Sequence, residues 1–426
     1  MCRGGLAAAA PPRAPGAVVG LAIVTDVVIR PLTLDDDFAA QLDLGERAFG
    51  PSSEQRRASW LRDTRRRAEQ GLALGAFIGD EPVGAAAIQD MRQFWLGRAV
   101  QLAGISGVKV APEHRGRGIG KQLMTEVLNL AANRGYLLSA LYPATTPIYR
   151  SFGWELAGAK HRFTIPARSL RGLVAPDELA RGAGAGHGDV PVRRATPADA
   201  ATVNKLIGEC HAAARDAGAI TWDEGPCAEW LAGPDLYAYL AGDDGFAAYQ
   251  WSGGDLWVQC LHAKTPDALR ALWSTIASHS SVAANVSGYT APNGPFWWLT
   301  YERDATITSR RMWMLRVIDA PAAIAARGFP PGLSVSVPLE INDPARPANT
   351  GHWRLTVTGG RGTLFPNGSA SSPSSLALGP RGLATLYAGI PVGSLRLAGL
   401  VSGGTPDGDA SLDAAFAATP YMVDDF

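Results

Sequence analysis

The chain has no surplus of either charge: 39 Lys and Arg balance 39 Asp and Glu across 426 residues, and only 18% of residues are charged. That balance excludes the basic footprint of a nucleic-acid binder. Cysteine is scarce as well. Cys2, Cys210, Cys227 and Cys260 form neither a C-x-x-C pair nor a disulfide framework, so they read as the reduced thiols of a cytoplasmic protein. Cys260-Leu-His262 offers two ligand types, but no second pair stands near it and no metal is expected. The apolar run from Ala17 to Val24 falls well short of the ~20 residues that span a bilayer. Without a clear cleavage site either, residues 1–25 read as a disordered tail rather than a signal or a membrane span. The length implies two or three domains, and 12 Trp leave room for large buried interfaces.

One stretch carries recognisable chemistry, Val110-Ala-Pro-Glu-His-Arg-Gly-Arg-Gly-Ile-Gly-Lys121. Gln101 to Val110 is apolar and β-branched enough to be a strand. Gly118 to Asn133 sets Ile119, Leu123, Met124, Val127, Leu128 and Ala131 on one helical face. A strand therefore runs through a glycine turn into a helix start, whose unpaired N–H groups and partial positive charge suit a diphosphate. Gly116, Gly118 and Gly120 leave the backbone approachable, while Arg115, Arg117 and Lys121 add positive charge. Two other glycine-rich loops are ruled out. A P-loop needs glycine where Arg115 stands and Ser or Thr where Gln122 stands, and a dinucleotide fingerprint needs glycine in place of Lys121.

The remaining pattern, Arg115-Gly116-Arg117-Gly118-Ile119-Gly120, resembles the acetyl-CoA loop of the GNAT N-acetyltransferases. That resemblance implies main-chain contacts to the coenzyme from Val108, Lys109 and Val110, one N–H polarising the thioester carbonyl.

The chain divides into three units by composition and pattern. Over residues 26–166, Val27-Val-Ile-Arg-Pro-Leu32 reads as a strand, followed by a possible Thr33 cap and a helix to about Phe49. Leu74 to Ile78 and Val83 to Ile88 flank the turn Gly79-Asp-Glu-Pro82; strands at Tyr136 to Leu141 and Arg162 to Ile165 complete a mixed α/β order. Residues 167–190 contain Arg181-Gly-Ala-Gly-Ala-Gly-His-Gly188 and read as a linker. In 191–309, Val192-Arg-Arg-Ala-Thr-Pro-Ala-Asp199 repeats the grammar of Val28-Ile-Arg-Pro-Leu-Thr-Leu-Asp35. Three short strands follow between Asp235 and Ala263, but Ala263-Lys-Thr-Pro-Asp-Ala-Leu-Arg270 has no glycine where a coenzyme loop belongs. From 310, Met312-Trp-Met-Leu-Arg-Val-Ile318 opens a third unit. Alternation through Leu333, Val335, Val337, Leu339 and Ile341, and through Trp353, Leu355 and Val357, predicts antiparallel strands. Helices are predicted at Ala320 to Arg327 and Leu412 to Ala418.

That order, with Leu141-Tyr-Pro-Ala-Thr-Thr-Pro-Ile-Tyr-Arg-Ser-Phe-Gly-Trp154, Trp313-Met-Leu-Arg-Val-Ile-Asp-Ala-Pro321 and Ser411-Leu-Asp-Ala-Ala-Phe-Ala417, resembles the enhanced intracellular survival (Eis) aminoglycoside acetyltransferases over roughly residues 26 to 426. The resemblance implies two tandem GNAT-like domains, the second lacking a cofactor site, and a C-terminal α+β domain like a sterol carrier. It further implies a homo-hexamer and acetylation of aminoglycosides or other polyamine-like acceptors. Tyr149 is implied as general acid, and the free carboxylate of the last residue, Phe426, as general base. Ala144 and Thr145 join the coenzyme contacts, and Phe49, Trp60 and Asp425 the acceptor pocket. An isolated tyrosine would read as packed core, and a chain end as frayed. The stretch Phe49-Gly-Pro-Ser-Ser53 offers no acidic residue where the family tends to have one, and Gly107 stands where the family can carry a bulky aromatic, so acceptor range stays open. Two further readings stand beside the first: protein-lysine acetylation, and a lipid or small-molecule carrier with a vestigial acetyltransferase unit.

Overall fold

A computed structural model describes residues 27–172, 190–300, 303–368, 373–424 and 426. The predicted tail, most of the predicted linker and Asp425 lie outside the described residues. Ala167–Gly172, at the start of that linker, is a 3₁₀ helix with Ala167 and Leu170 buried.

The first unit contains strands β1 (Val27–Pro31), β2 (Ala73–Ile78), β3 (Glu81–Trp95), β4 (Arg98–Val110), β5 (Leu138–Leu141) and β6 (Glu155–Pro166). Its helices are α1 (Phe38–Phe49), α2 (Glu54–Glu69), α3 (Ile119–Asn133) and α4 (Pro147–Ser151). Helix α1 is capped by Asp37, whose carboxylate accepts from the amides of Ala39 and Ala40, and not by Thr33. Thr33 belongs to the preceding turn, where its N–H donates to Asp36 at 2.7 Å and Arg30 pairs with Asp36 at 2.6 Å. The second unit repeats this device: Thr196 donates to Asp199 at 2.8 Å and Arg193 pairs with Asp199 at 2.7 Å. The structural repeat is shifted by one residue from the sequence match: Asp36, not Asp35, answers to Asp199, and Arg193, not Arg194, to Arg30. Second-unit strands are β7 (Val192–Arg194), β8 (Ala217–Thr221), β9 (Tyr237–Ala241), β10 (Gly245–Ser252), β11 (Asp255–Ala263), β12 (Asn285–Thr290) and β13 (Thr306–Val317).

All thirteen strands form one sheet, in the order β1-β2-β3-β4-β5-β13-β6-β12-β11-β10-β9-β7, with β8 pairing the far half of β3. The last strand of each unit has been traded. β13 pairs β5 of the first unit (Met314↔Leu141), β6 pairs β12 of the second (Ile165↔Val286), and the two lie antiparallel to each other. The segment Met312 to Ile318, expected to open the third unit, therefore belongs mostly to the large sheet. Its apolar alternation is the same for either sheet, so pattern alone does not assign it.

The third unit is a five-stranded sheet, β16-β15-β14-β17-β18, built from β14 (Val335–Ile341), β15 (Gly351–Thr358), β16 (Arg361–Pro366), β17 (Leu376–Leu378) and β18 (Val401–Gly403). Helices at Ala320–Ala326, Pro380–Tyr387, Val392–Leu397 and Pro406–Phe416 accompany it. Its core runs without a break into that of the first unit, from Val337, Leu355 and Tyr387 to Trp313, Trp95 and Leu102. At this junction Arg316 of β13 is fully buried. It donates to both oxygens of the equally buried Asp343 at 2.7 Å, to Phe152 O at 2.9 Å and to Val317 O at 2.7 Å. Asn349 adds a hydrogen bond to Asp343 at 3.0 Å. A buried ion pair is costly to break because one charge stays behind without a partner. Arg316→Met, which strands Asp343, is expected to lower the unfolding free energy by about 3–5 kcal/mol; denaturant titration with unchanged slope checks it.

Candidate active site

Strands β4 and β5 are parallel but pair only over Leu102↔Leu138, Ala103↔Ser139 and Gly104↔Ala140. Beyond Gly104 they part, and Ile105–Val110 keep only β3 as a partner. On that side the register jumps from Ala87↔Ser106 to Ala85↔Lys109, so β4 carries one extra residue at Gly107–Val108. Gly107 takes φ +61°, and a Cβ there would meet open space. The bulge leaves Gly107 and Val108 without a register partner on β3; of the residues the resemblance implies, Val108 lies in the bulge, while Lys109 and Val110 pair with Ala85 and Gly84.

The glycine loop lies at the same end of β4. Gly116 and Gly118 have φ of +80° and +83°, and Gly118 is the N-cap of α3. Among the described residues no side chain caps this helix, and its first turn has no acidic residue. Arg115, Gly116, Arg117, Gly118 and Lys121 are exposed, and a Cβ on Gly118 would meet nothing within 4 Å. A helix start with free N–H groups, open space above it and three cations around it fits a diphosphate. Gly120 faces Ile148 of α4, and Ile119 is buried, so these two shape the loop from below. Ala144 and Thr145 are exposed in the segment leading to α4. The corresponding helix of the second unit, Pro266–Ala277, is closed to such a ligand. Thr265 caps it by accepting from Ala268 N at 3.3 Å, and Asp267 sits in its first turn.

The C-terminal segment reaches this opening from the third unit. After helix Pro406–Phe416 the chain passes between the first two units, Tyr421 N donating to Ala217 O at 2.9 Å and Ala159 N to Pro420 O at 3.4 Å. Gly218, φ +92°, makes the passage possible: a Cβ there would lie 2.6 Å from Tyr421 O. Tyr142 then donates to Asp424 O at 2.9 Å. The Phe426 ring rests on Gly104, where a Cβ would come within 2.9 Å of it, and contacts Tyr142 (centroids 5.6 Å) and Trp222 (6.4 Å). Gly104 is the last β4 residue paired with β5. The Phe426 ring is therefore seated where the two strands diverge. Arg311 and Lys160 stand over the Tyr142 ring at 4.7 and 5.8 Å.

Tyr149 lies in α4, just past β5, and is buried; burial raises its phenol above the usual range. Its short helix is fixed from the third unit. Glu155 accepts from Arg150 of α4 at 2.8 and 3.0 Å and from Arg381 Nε at 2.6 Å, while Arg316 holds Phe152 O. A Cβ on Gly153 would strike Pro380 and Arg316, so the turn after α4 tolerates no side chain.

Of the acceptor residues read from sequence, Trp60 lies on α2 with Lys109 Nζ 4.8 Å from its ring, and Phe49 is exposed at the end of α1. Glu113 pairs with Arg47 and His114 bonds Arg117 at 3.1 Å, so neither is poised as a base. Gly104, Tyr142 and Trp222 are site residues that sequence reasoning missed. The interruption of an apolar strand by Gly104 was the available signal.

Residues 28–157 and 196–317 each match an acetyltransferase (GNAT) domain, and 320–423 a sterol carrier protein domain. The N-acetyltransferase Eis of Mycobacterium tuberculosis is 32% identical over 313 residues, 70% of this chain and 74% of that protein. A GCN5-related N-acetyltransferase from Kribbella flavida superposes with TM-score 0.87 at 44% identity, over 94% of this chain and 98% of that one. Eis1 from Mycobacterium abscessus shares the fold, with TM-score 0.72 at 22% identity over 94% and 100% of the two chains. Two GNAT domains, a sterol-carrier-like domain and extended sequence identity make the chain a member of the Eis family of N-acetyltransferases.

Proposed function

We propose that the chain transfers the acetyl group of acetyl-CoA to amines of aminoglycosides or similar polyamine-like acceptors, at one or more positions. The observation that carries this reading is the seating of Phe426 where β4 and β5 part, in the first unit that also carries the α3 loop and Tyr149. The uncapped start of α3, with Arg115, Arg117 and Lys121, holds the coenzyme's diphosphate; Gly107 and Val108 offer main-chain donors to its acyl end. Acetyl-CoA supplies an activated acyl group and a thiolate leaving group. Tyr149, kept protonated by burial, gives its proton to that sulfur. The Phe426 carboxylate accepts the proton shed by the acceptor amine. An ordinary α-carboxyl titrates at about 3.3–3.7, so its value as a base lies in placement more than in strength.

The carrier reading has less support. Where a lipid cavity would be sought in the third unit, the fully buried Arg327 guanidinium lies 4.7–5.5 Å from the rings of Trp95, Phe329, Tyr387 and Phe416, which fill the space. Among the described residues no helix is long and apolar enough to cross a membrane.

Thiol release from acetyl-CoA over an aminoglycoside panel and a lysine peptide tests the reading, and turnover on no acceptor refutes it. Tyr149→Phe is expected to lower kcat about 100-fold or more with KM for acetyl-CoA little changed. Arg381→Ala, which frees one side of Glu155, is expected to lower kcat roughly tenfold by loosening α4, again without weakening coenzyme binding. Three added residues after Phe426 should abolish turnover while leaving the thermal midpoint in place.

A further inference from the structure

A second polar site lies where α1, α2 and β4 meet, on the other side of Trp60's helix from solvent. Gln41 of α1 is 1% exposed, and neither its amide nitrogen nor its oxygen has a partner. Arg67 of α2 is 8% exposed and its side chain makes no hydrogen bond to any described residue; its Nε is wholly enclosed. Lys109 of β4 is 6% exposed and uses one of three donors, to Gln41 O at 3.0 Å, with the Trp60 ring 4.8 Å away. Trp60, Thr64 and Arg67 follow at helical spacing on one face of α2, and Thr64 is buried too. Gly45 keeps the space beside the ammonium clear, since a Cβ there would lie 3.0 Å from Nζ.

Native interiors leave few polar groups unpaired, and buried cations are paired with carboxylates or other anions. Here two cations and an amide are buried together and no carboxylate is hydrogen-bonded to them. Asp63, one turn back on α2, acts on Arg67 only through space and is held by Arg66 at 2.8 Å. Burial and the repulsion of Arg67 push the Lys109 ammonium down to about 8, the behaviour of two like charges without a counterion between them. Water can satisfy the free donors, but it cannot offset the charge. We propose that a small monovalent anion, a free halide or the carboxylate of an acceptor, binds between Arg67, Lys109 and Gln41 beneath Trp60. The site is separate from the coenzyme loop. Its second source, an acceptor carboxylate, rests on Trp60 lining the acceptor pocket; the halide does not.

The experiment uses the full chain at constant ionic strength, with sodium isethionate, which is neither a halide nor a carboxylate, replaced stepwise by chloride or bromide. The thermal midpoint is expected to rise saturably, by about 2–4 °C, and a bromide-soaked crystal should show an anomalous peak within contact of Lys109 and Arg67. Arg67→Met/Lys109→Met should lose both the dependence and the peak; Gln41→Leu should weaken them if the double variant does not fold. In isethionate, the stability of the native chain relative to Lys109→Met should rise between pH 8 and 10.5, because unfolded Lys109 then binds more protons than folded Lys109, while the buried cysteines and tyrosines that work the other way are common to both chains. Chloride should shrink that rise. A midpoint indifferent to the salt, with no bromide peak, overturns the proposal. Acetylation rates separate the two sources: chloride raising KM for lysine but not for cadaverine assigns the site to an acceptor carboxylate, and no effect on either assigns it to a structural ion. A chain with no transferase activity that still binds bromide would sink the enzymatic reading and leave the anion site standing.

Discussion

The antiparallel pairing of β13 with β5 and β6 is the constraint on which the rest of the molecule depends. It inserts a strand from late in the chain into the first unit and passes β6 on to the second, so neither sheet is complete without the other's last strand. Hydrogen bonds along β13 and β6 cannot be given up without exposing two long edges. From the end of β13 the chain enters the third unit directly, and Arg316 locks that entry to Asp343. Three units therefore behave as one body because of where one strand lies.

That body positions the candidate site from three directions. The first unit supplies the β4–β5 opening, the bulge at Gly107–Val108 and the α3 loop. The second lines the passage at Ala217 and Gly218 and places Trp222 against Phe426. The third contributes the C-terminal segment and, through Arg381 on Glu155, steadies the helix that carries Tyr149. The second unit kept the architecture of the first but closed its helix start with Thr265 and Asp267. A single cofactor loop with a duplicated scaffold follows from that difference.

Much of this was legible in the sequence, for local reasons. The coenzyme loop, helix α3 and the repeated Arg-x-x-Thr-x-x-Asp turn depend on neighbours within a few residues, so pattern reveals them. The strands of the third unit show plain alternation from Val335 to Ile341. The strand trade was not legible, because Met312 to Val317 would alternate identically in either sheet. Helix α2 is also faint: five arginines and two acids from Arg56 to Glu69 hide the face formed by Trp60, Thr64 and a sixth arginine, Arg67. The roles of Gly104, Tyr142 and Trp222 depend on a residue about 200 to 320 positions away, Phe426, and contacts of that range leave no mark in a single chain beyond the glycine that interrupts β4. Lys109 was read for its main chain, whereas its side chain is buried in the polar gap under Trp60.

The central claim is that the chain end itself takes part in chemistry, through a carboxylate that no side chain replaces. Semisynthesis of the protein with Phe426 as a carboxamide removes that one ionisable group and keeps the ring, the length and the packing. The account predicts that the amidated protein binds acetyl-CoA and unfolds as the native chain does while kcat falls by about 100-fold or more. Full turnover by the carboxamide would contradict it.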